Sequence, residues 1–277
     1  MSQIENIIDQ LPNDSTLEKI SVIESGAQAA NVLFTFPVAL HKQAVMVKGE
    51  IDNQVGSQFE LLTVPSRCLE DEQVLSQLND WVNPKDADNQ SPLVLSLQHV
   101  QVFWTPEKIV VFVDEEFSPT VKSAIIEVSY YVSQLVEIEN QLATNWPQLE
   151  ADIPTAFEYD QQAARKKKQL MQRFKETYVL RAQLAKLTPF LLSPHTYPPT
   201  LESQISDRLR ERIRVEDRVE FVSDSLEVYE EVYELCGQRV NDFQHARKGH
   251  TLEWIIIILL GAELVVVAFD YLSSLGT

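Results

Sequence analysis

A chain of 277 residues with 44% hydrophobic and 23% charged residues has the balance of folded protein and is long enough for one large domain or two ordinary ones, which argues against intrinsic disorder. Its net charge of −18 lies entirely in the first 160 residues, which contain 7 Lys and Arg against 25 Asp and Glu, whereas residues 161–277 contain 16 of each. An acidic first part repels nucleic acid and anionic lipid, and so disfavours nonspecific binding to either.

The first residues carry no recognisable targeting signal. Glu5, Asp9 and Asp14 precede the first basic residue, Lys19. Neither an apolar signal core nor an arginine-rich amphipathic helix is visible there. We therefore expect any contact with a membrane to be made by the other end of the chain.

The first part of the chain predicts a small, mainly antiparallel sheet. β-Branched and aromatic runs, separated by Pro, Asn and charged clusters, occur at 32–36, 44–51, 59–64, 93–104 and 108–115. Residues 69–82 place apolar side chains at helical spacing, so one helix is expected to cover one sheet face. The polar residues 83–92 are the expected exposed loop. The predicted fold class is therefore α+β, with an acidic α+β head domain at 1–117.

Long helices are predicted from Ser118 onward. A serine cap followed by Pro119 is a helix-start signal, because proline at the first helical position loses no hydrogen bond. Apolar residues at every third or fourth position extend this helix to about Asn145, and Trp146-Pro147 is expected to stop it. A further helix over about 155–188 would pack against the first one as an antiparallel hairpin.

A coiled-coil-like helix is predicted after the proline-rich break at 193–200, where Thr200 is free to cap it. Nine positions are spaced alternately by four and three residues: Val215, Val219, Val222, Leu226, Tyr229, Tyr233, Cys236, Val240 and Phe243. This spacing keeps one side of a helix facing a partner over four heptads. The partner is either the 118–188 hairpin or another copy of the helix, and the tyrosines and cysteine favour packing inside a bundle. The predicted helical domain spans 118–248.

Residues 252–272 have the length and composition of a transmembrane helix. These 21 residues form about 31 Å of helix, close to the hydrocarbon thickness of a bilayer. Thirteen are Ile, Leu, Val or Phe and contribute roughly −6 kcal/mol of insertion free energy, against about +2.5 kcal/mol for the central Glu263. Arg247 and Lys248 precede the span and no basic residue follows it, which predicts a C-terminal anchor and short tail at 249–277 and a cytoplasmic N-terminal part. The alternative is a buried helix of a soluble bundle.

Glu263 predicts that such spans associate. An ionisable group at mid-membrane is seldom left facing lipid, and Asp270 lies seven residues further on the same side of the helix. Small residues nearby, including Gly261, allow a second helix to approach closely. We therefore expect a homo-oligomer assembled through this side. A protonated glutamate tolerated near lipid is the alternative.

The C-terminal motif resembles that of a known family. Leu252-Glu253-Trp254 runs into IIIILL and a second glutamate ten residues after the first, and LEVYEEVYELCGQRVNDFQHAR precedes it. Residues 118–272 are thereby similar to the required-for-meiotic-nuclear-division proteins, a domain-of-unknown-function family with bacterial, yeast and mitochondrial members. The resemblance implies a membrane-anchored, non-catalytic protein that forms large homo-oligomers and, by analogy with the mitochondrial member, a ribosome tether. Without a transit peptide, we expect the bacterial plasma membrane rather than the mitochondrial inner membrane.

Basic residues cluster near the start of the predicted helix 155–188. The first of them are Arg165, Lys166, Lys167, Lys168 and Arg173. Between residues 165 and 186 there are eight positive charges against one acid. Clustered Lys and Arg on one helix suit phosphates, so lipid headgroups or ribosomal RNA are expected partners. The alternative is pairing with the acidic first part of the same or a neighbouring subunit.

No motif for catalysis, a metal or a cofactor is recognisable. G-x-S-x-G, P-loop and dinucleotide fingerprints are absent, and the close pair His245 and His250 is not spaced to share one helix face. Two isolated cysteines, Cys68 and Cys236, predict reduced thiols. We expect a non-enzymatic, membrane-anchored oligomeric scaffold or tether. The alternative is a soluble or peripheral interaction module, for example a ribosome or nucleic-acid adaptor acting through Arg165–Lys186, whose last helix packs in an oligomer core.

Overall fold

The computed structural model describes residues 11–26, 31–47, 57–83, 92–157, 161–192 and 200–275, without the side chains of 161–165, 243, 244, 246–248, 251 and 266–275. The fold is α+β, as predicted, with a sheet first and long helices after it. The chain divides into two compact units. We call Met1–Asn140 with Leu184–Val222 the sheet unit, and Gln141–Gln183 with Ser223–Thr277 the helical unit.

The described residues of the sheet unit form one seven-stranded mixed sheet. Its strands are β1 (Thr16–Glu24), β2 (Val32–Thr35), β3 (Lys42–Met46), β4 (Gln58–Val64), β5 (Leu93–Leu97), β6 (Val100–Trp104) and β7 (Lys108–Phe112). They lie in the order β2-β3-β1-β4-β7-β6-β5. Only β4 and β7 run parallel, and the other neighbouring pairs are antiparallel. This confirms the prediction of a mainly antiparallel sheet.

Two details of the sheet differ from the prediction. Strand β1 was not predicted, and it pairs with β3 on one side and β4 on the other. The apolar run 93–104 is two strands rather than one, because Gln98 takes a left-handed backbone conformation with φ of 52° and turns the chain. Residues 84–91, most of the predicted loop, lie outside the described residues.

One helix covers part of the sheet, as expected. Helix α1 (Glu72–Val82) begins at Asp71, whose carboxylate accepts hydrogen bonds from the backbone N–H groups of Gln73 and Val74 at 3.0 and 3.3 Å. This side-chain cap satisfies donors that a helix start leaves without partners. Leu78 and Val82 of the helix are fully buried in a cluster with residues of β4, β6 and β7.

The long helices are α2 (Ser118–Phe157), α3 (Gln161–Leu192), α4 (Leu201–Ile213) and α5 (Val215–Leu275). The predicted stop at Trp146-Pro147 is wrong, because α2 continues through Pro147 and Pro154. A proline inside a helix removes one backbone hydrogen bond and costs about 3 kcal/mol. Leu149 and Ala156, beyond Pro147, are both buried, so packing of this part of the helix contributes against that cost.

Thr200 caps α4 as predicted, since its hydroxyl accepts from the Ser203 backbone N–H at 3.2 Å and the Ser203 hydroxyl accepts from the Thr200 N–H at 2.9 Å. The long helix is then interrupted at Arg214, whose φ of 59° is left-handed. Eight of the nine predicted positions on α5, Val215 to Val240, are buried, and the side chain of the ninth, Phe243, is not described. Tyr229, one of these buried positions in the helical unit, donates a hydrogen bond from its hydroxyl to the Leu142 carbonyl oxygen of α2 at 2.8 Å. The interpretation as a bundle within one chain is therefore confirmed for this unit.

The predicted transmembrane helix is not confirmed. Among the residues that the structure describes, none of the helices contains an apolar stretch that meets the length needed to cross a bilayer. The side chains of 266–272, the last part of the predicted span, lie outside that description.

The contact between Trp104 and Ser129 tests the packing of α2 on the sheet. The indole Nε1–H of Trp104 donates to the Ser129 hydroxyl at 2.9 Å, and both residues are buried. Ser129→Ala leaves this N–H buried without an acceptor and is expected to lower the free energy of unfolding by about 1–3 kcal/mol in urea denaturation. Ser123→Ala, at a half-buried position of α2, is the matched control and should change it by less than about 0.5 kcal/mol. Equal losses in both variants would contradict a specific role for the Trp104 contact.

Candidate interaction surfaces

The C-terminal half of α5 carries the largest exposed apolar surface of the described residues. We call residues Leu252–Val265 the apolar band. Every residue of the band is exposed, and its large hydrophobic side chains have exposed fractions between 48% (Ile255) and 71% (Leu264). A surface helix of a globular protein normally exposes its polar side and buries its apolar one. A continuous exposed apolar surface formed by ten large side chains is typical of an interface with protein or membrane.

Most of the predicted membrane and oligomerisation residues lie in this band. Leu252, Glu253, Trp254, Gly261 and Glu263 are all exposed, whereas the side chain of Asp270 lies outside the described residues. Glu253 lies against the His250 ring at the start of the band, with a carboxylate oxygen 3.2 Å from Nδ1. A Cβ added at Gly261 would meet no described atom within 4 Å, which leaves room for another helix. The structure thus places these residues on one continuous stretch of helix.

The predicted basic residues do not form one surface. Lys166 and Lys168 are exposed on α3, and Lys167 is half-buried and donates from Nζ to the Asn241 side-chain oxygen of α5 at 3.0 Å. Arg173 instead pairs through its guanidinium with Asp152 of α2. The side chain of Arg165 is not described. Of the described members of this set, Lys166 and Lys168 therefore present their charge to the surroundings of the helical unit.

Asp152 is the residue that sequence analysis missed. Its side chain is only 1% exposed and forms the centre of a polar cluster where α2, α3 and α5 meet. The Cys236 thiol lies against the Asp152 carbonyl, with Sγ and O 3.6 Å apart. A buried carboxylate is stable only when paired, and Arg173 supplies the pair. The predicted helix end at Asn145 concealed this acid, because it placed Asp152 in a connecting segment.

Two further ionisable groups near Asp152, the Cys236 thiol and the Tyr233 hydroxyl, are held in their neutral forms. Burial, and secondarily the charge of Asp152, raises the pKa of the Cys236 thiol to about 11. The same two causes raise the pKa of Tyr233 well above its usual range. A thiol with a raised pKa carries little thiolate and is a poor nucleophile. In this cluster Cys236 is therefore expected to react slowly as a nucleophile.

Each unit also contains a sizeable cavity. In the helical unit a mainly apolar groove of about 230 Å³ lies between α3 and α5, lined by Lys167, Leu170, Met171, Phe174, Tyr233 and Gly237, among others. In the sheet unit a polar cavity of about 530 Å³ is lined by groups that already pair, such as Arg67 with Asp14 at 2.6 Å. Among the described residues, no three His, Cys, Asp or Glu side chains are grouped so that they could bind a metal ion.

Comparison with known proteins leaves the family open. No protein-family model matches the chain, and no curated protein matches it. Among solved structures the full-length CmaX protein is similar to it, with 12% sequence identity and a TM-score of 0.37 over 87% of this chain and 82% of that chain. A similarity at this level supports no inference about fold or function. The resemblance to the required-for-meiotic-nuclear-division family stays a prediction.

The buried carboxylate of Asp152 is expected to destabilise the helical unit whenever its partner Arg173 is removed. Arg173→Met leaves a buried carboxylate without a partner and should lower the free energy of unfolding by about 3–5 kcal/mol in urea denaturation. The double variant Asp152→Leu/Arg173→Met removes both charges and should recover most of that loss. The control is Arg208→Met, which breaks an exposed pair with Glu211 and should cost less than about 1 kcal/mol. A double variant as unstable as Arg173→Met would contradict this account.

Tyr229 predicts how stability depends on alkaline pH. Burial raises the pKa of Tyr229 to about 12, from a usual value of 10.0. A pKa raised on folding gives stability that is complete below pH 10 and is lost as pH rises towards 12, because the unfolded tyrosine ionises first. Tyr229→Phe loses the bond to Leu142 and should cost about 1 kcal/mol at pH 7.

Measurements at several pH values separate the contribution of the Tyr229 hydrogen bond from the effect of Tyr229 ionisation. The difference in unfolding free energy between wild type and Tyr229→Phe should close near pH 11, since only the wild type has this group to ionise. Urea denaturation at steps from pH 8 to 11 measures it. Tyr178→Phe, at an exposed position of α3, is the control for removal of a tyrosine hydroxyl and should change the free energy of unfolding at pH 7 by less than about 0.5 kcal/mol. A constant difference for Tyr229→Phe would contradict the assignment.

Proposed function

We propose that this chain is a non-enzymatic scaffold or tether that is attached to a membrane by the C-terminal part of α5 and assembles into a homo-oligomer there. The observation that carries the proposal is the exposure of the apolar band on all sides of the helix. Its N-terminal part would lie in the cytoplasm, as the basic residues before the band indicate. Membership of the required-for-meiotic-nuclear-division family is part of the same proposal.

The free energy that would be gained by burying the apolar band indicates that lipid or another protein surface covers it. Ten large hydrophobic side chains of the band are roughly half exposed. Burying the remaining surface would gain about 1 kcal/mol for each, or roughly 10 kcal/mol together. This is comparable to the net stability of a whole domain, which is about 5–15 kcal/mol. The band is therefore expected to be covered by lipid, by other copies of the chain, or by both.

Lipid is the favoured cover because of the way the apolar residues are arranged. Ile255 to Leu260 are consecutive and so surround the helix, whereas a protein partner would need an apolar stripe on one side only. Trp254 lies at the beginning of the band, where amphipathic rings sit at a membrane interface. The helix continues beyond the band to Leu275.

Self-association is supported by Glu263. A carboxyl group at mid-membrane costs about 2.5 kcal/mol or more, and contact between neighbouring helices lowers that cost by removing it from lipid. Gly261 leaves space for such a neighbour. The same exposed Glu263 favours the second candidate function, a soluble or peripheral module whose band packs only against protein. A charged residue is better tolerated in that environment.

Membrane fractionation with a carbonate wash distinguishes the two functions. The full chain should stay in the membrane pellet, and a chain that stops after His250 should be released, because it lacks the whole band. Light scattering of the purified forms should give a large oligomer for the full chain in detergent and a smaller species for the shortened one. A full chain that remains in the supernatant would contradict the anchor.

A matched pair of substitutions in the full chain gives a second test. Leu260→Lys places a charge near the centre of the proposed span and costs about 3 kcal/mol of insertion, whereas Leu252→Lys places it at the interface and costs little. Membrane retention should therefore fall for the first variant and not for the second. Equal retention of the two would favour a protein cover.

A further inference from the structure

The contacts between α3 and α5 define where the lysines of α3 lie along α5. Arg181 of α3 donates to the Ser223 carbonyl at 3.1 Å, and Lys167 of α3 donates to Asn241 at 3.0 Å. Lower residue numbers on α3 thus lie beside higher numbers on α5, so the two helices are antiparallel. All four residues belong to the helical unit. The end of α3 that carries Lys166, Lys167 and Lys168 is therefore the end nearer to the apolar band.

The distance from these lysines to the band follows from helix geometry. Asn241 and Leu252 are eleven residues apart on one continuous helix, which is about 16 Å along its axis. The headgroup layer on each side of a bilayer is about 5–8 Å thick. If Leu252 lies at the edge of the hydrocarbon layer, the backbone of Lys166–Lys168 lies about 8–11 Å from the headgroups. This distance is close to the Debye length of about 8–10 Å at physiological salt. Flexible lysine side chains shorten that distance further.

The charge of this end of α3 is unusually one-sided. Residues 161–175 contain six Lys and Arg and no Asp or Glu. One of the six, Arg173, is paired with Asp152, and Lys167 is bound to Asn241. Lys166 and Lys168 are exposed beside them. Asp242 on α5, next to Asn241, is also exposed, so among the described side chains at this level two exposed lysines lie beside one exposed acid.

We propose that Lys166 and Lys168 bind the headgroups of anionic lipids and so form a second, electrostatic contact with the membrane. The inference rests on the proposed anchor and adds lipid composition as a determinant of binding. We assign lipid phosphate rather than RNA as the ligand of these lysines, because the anchor would keep their side chains within electrostatic range of the headgroups. Each lysine near such a surface strengthens binding about fivefold.

Chemical acetylation of the full chain in lipid nanodiscs tests the contact. The chain is inserted in discs of phosphatidylcholine alone or with about one third phosphatidylglycerol, and mass spectrometry follows the acetylation rate of each lysine. Lys166 and Lys168 should react about fivefold more slowly in the anionic discs. Lys175 is the internal control, since it is exposed on the same helix but lies about 11–14 Å further from the band than these two lysines. Its rate should change less than twofold.

The outcomes separate the inference from the proposed anchor. A chain that enters neither kind of disc would overturn both. A chain that enters both discs with unchanged rates at Lys166 and Lys168, or with an equal change at Lys175, would overturn the lipid contact and leave the anchor standing. Protection by added RNA in phosphatidylcholine discs, without protection by phosphatidylglycerol, would overturn it in favour of an RNA-binding surface.

A competition experiment confirms the role of the charges themselves. Wild type offered both kinds of disc should prefer the anionic ones. Lys166→Gln/Lys168→Gln should lose most of that preference, and Lys175→Gln/Lys186→Gln, with the same change in net charge, should keep it. Equal loss in both variants would show that only overall charge matters, which would overturn the assignment to Lys166 and Lys168.

Discussion

The burial of one side of α5 is the constraint on which the helical unit depends. Leu226, Tyr229, Tyr233, Cys236 and Val240 are all less than a tenth exposed, and they keep α2 and α3 in contact with a single helix. The ion pair between Arg173 and Asp152 lies beside them, and because the packing buries the Asp152 carboxylate, that charge depends on Arg173 for its compensation. In turn the pair prevents the helices from sliding, because any shift would separate two charges in a region of low dielectric constant.

The same helix changes its surroundings between Val240 and Leu252. Before this stretch one side of α5 is covered by the chain itself, and after it every side chain up to Val265 is exposed. The intervening described positions, including Asn241, Asp242, His245 and His250, are polar and exposed. A short polar segment of this kind is typical of the place where a helix leaves the protein interior and, in the proposed arrangement, approaches the surface of a membrane. The proposed membrane attachment and the lysine contact both depend on this boundary.

Spacing in the sequence was enough to predict the buried side of α5, because an apolar repeat of four and three residues is typical of a helix that packs along one side. It was not enough for α2, where the local rule that proline ends a helix was overridden by packing of Leu149 and Ala156. Strand β1 was missed because Glu18, Lys19 and Glu24 weaken its alternation although the strand lies inside the sheet. Asp152 and Arg173 are far apart in the sequence, so their pairing follows only from the register of two helices. The exposure of the apolar band, by contrast, agrees with the local pattern, because consecutive apolar residues surround the helix and leave no polar side to face water.

The burial of both native thiols makes the protein convenient for site-specific spectroscopy. Cys68 and Cys236 are 7% and 0% exposed, and burial raises the pKa of each thiol. Maleimide and methanethiosulfonate reagents react with accessible thiolates, so they should spare both residues while the fold is intact. A single cysteine introduced on the surface can then carry a spin label or a fluorophore without removal of the native ones. Distances between labels on neighbouring copies would become measurable in the otherwise unaltered chain.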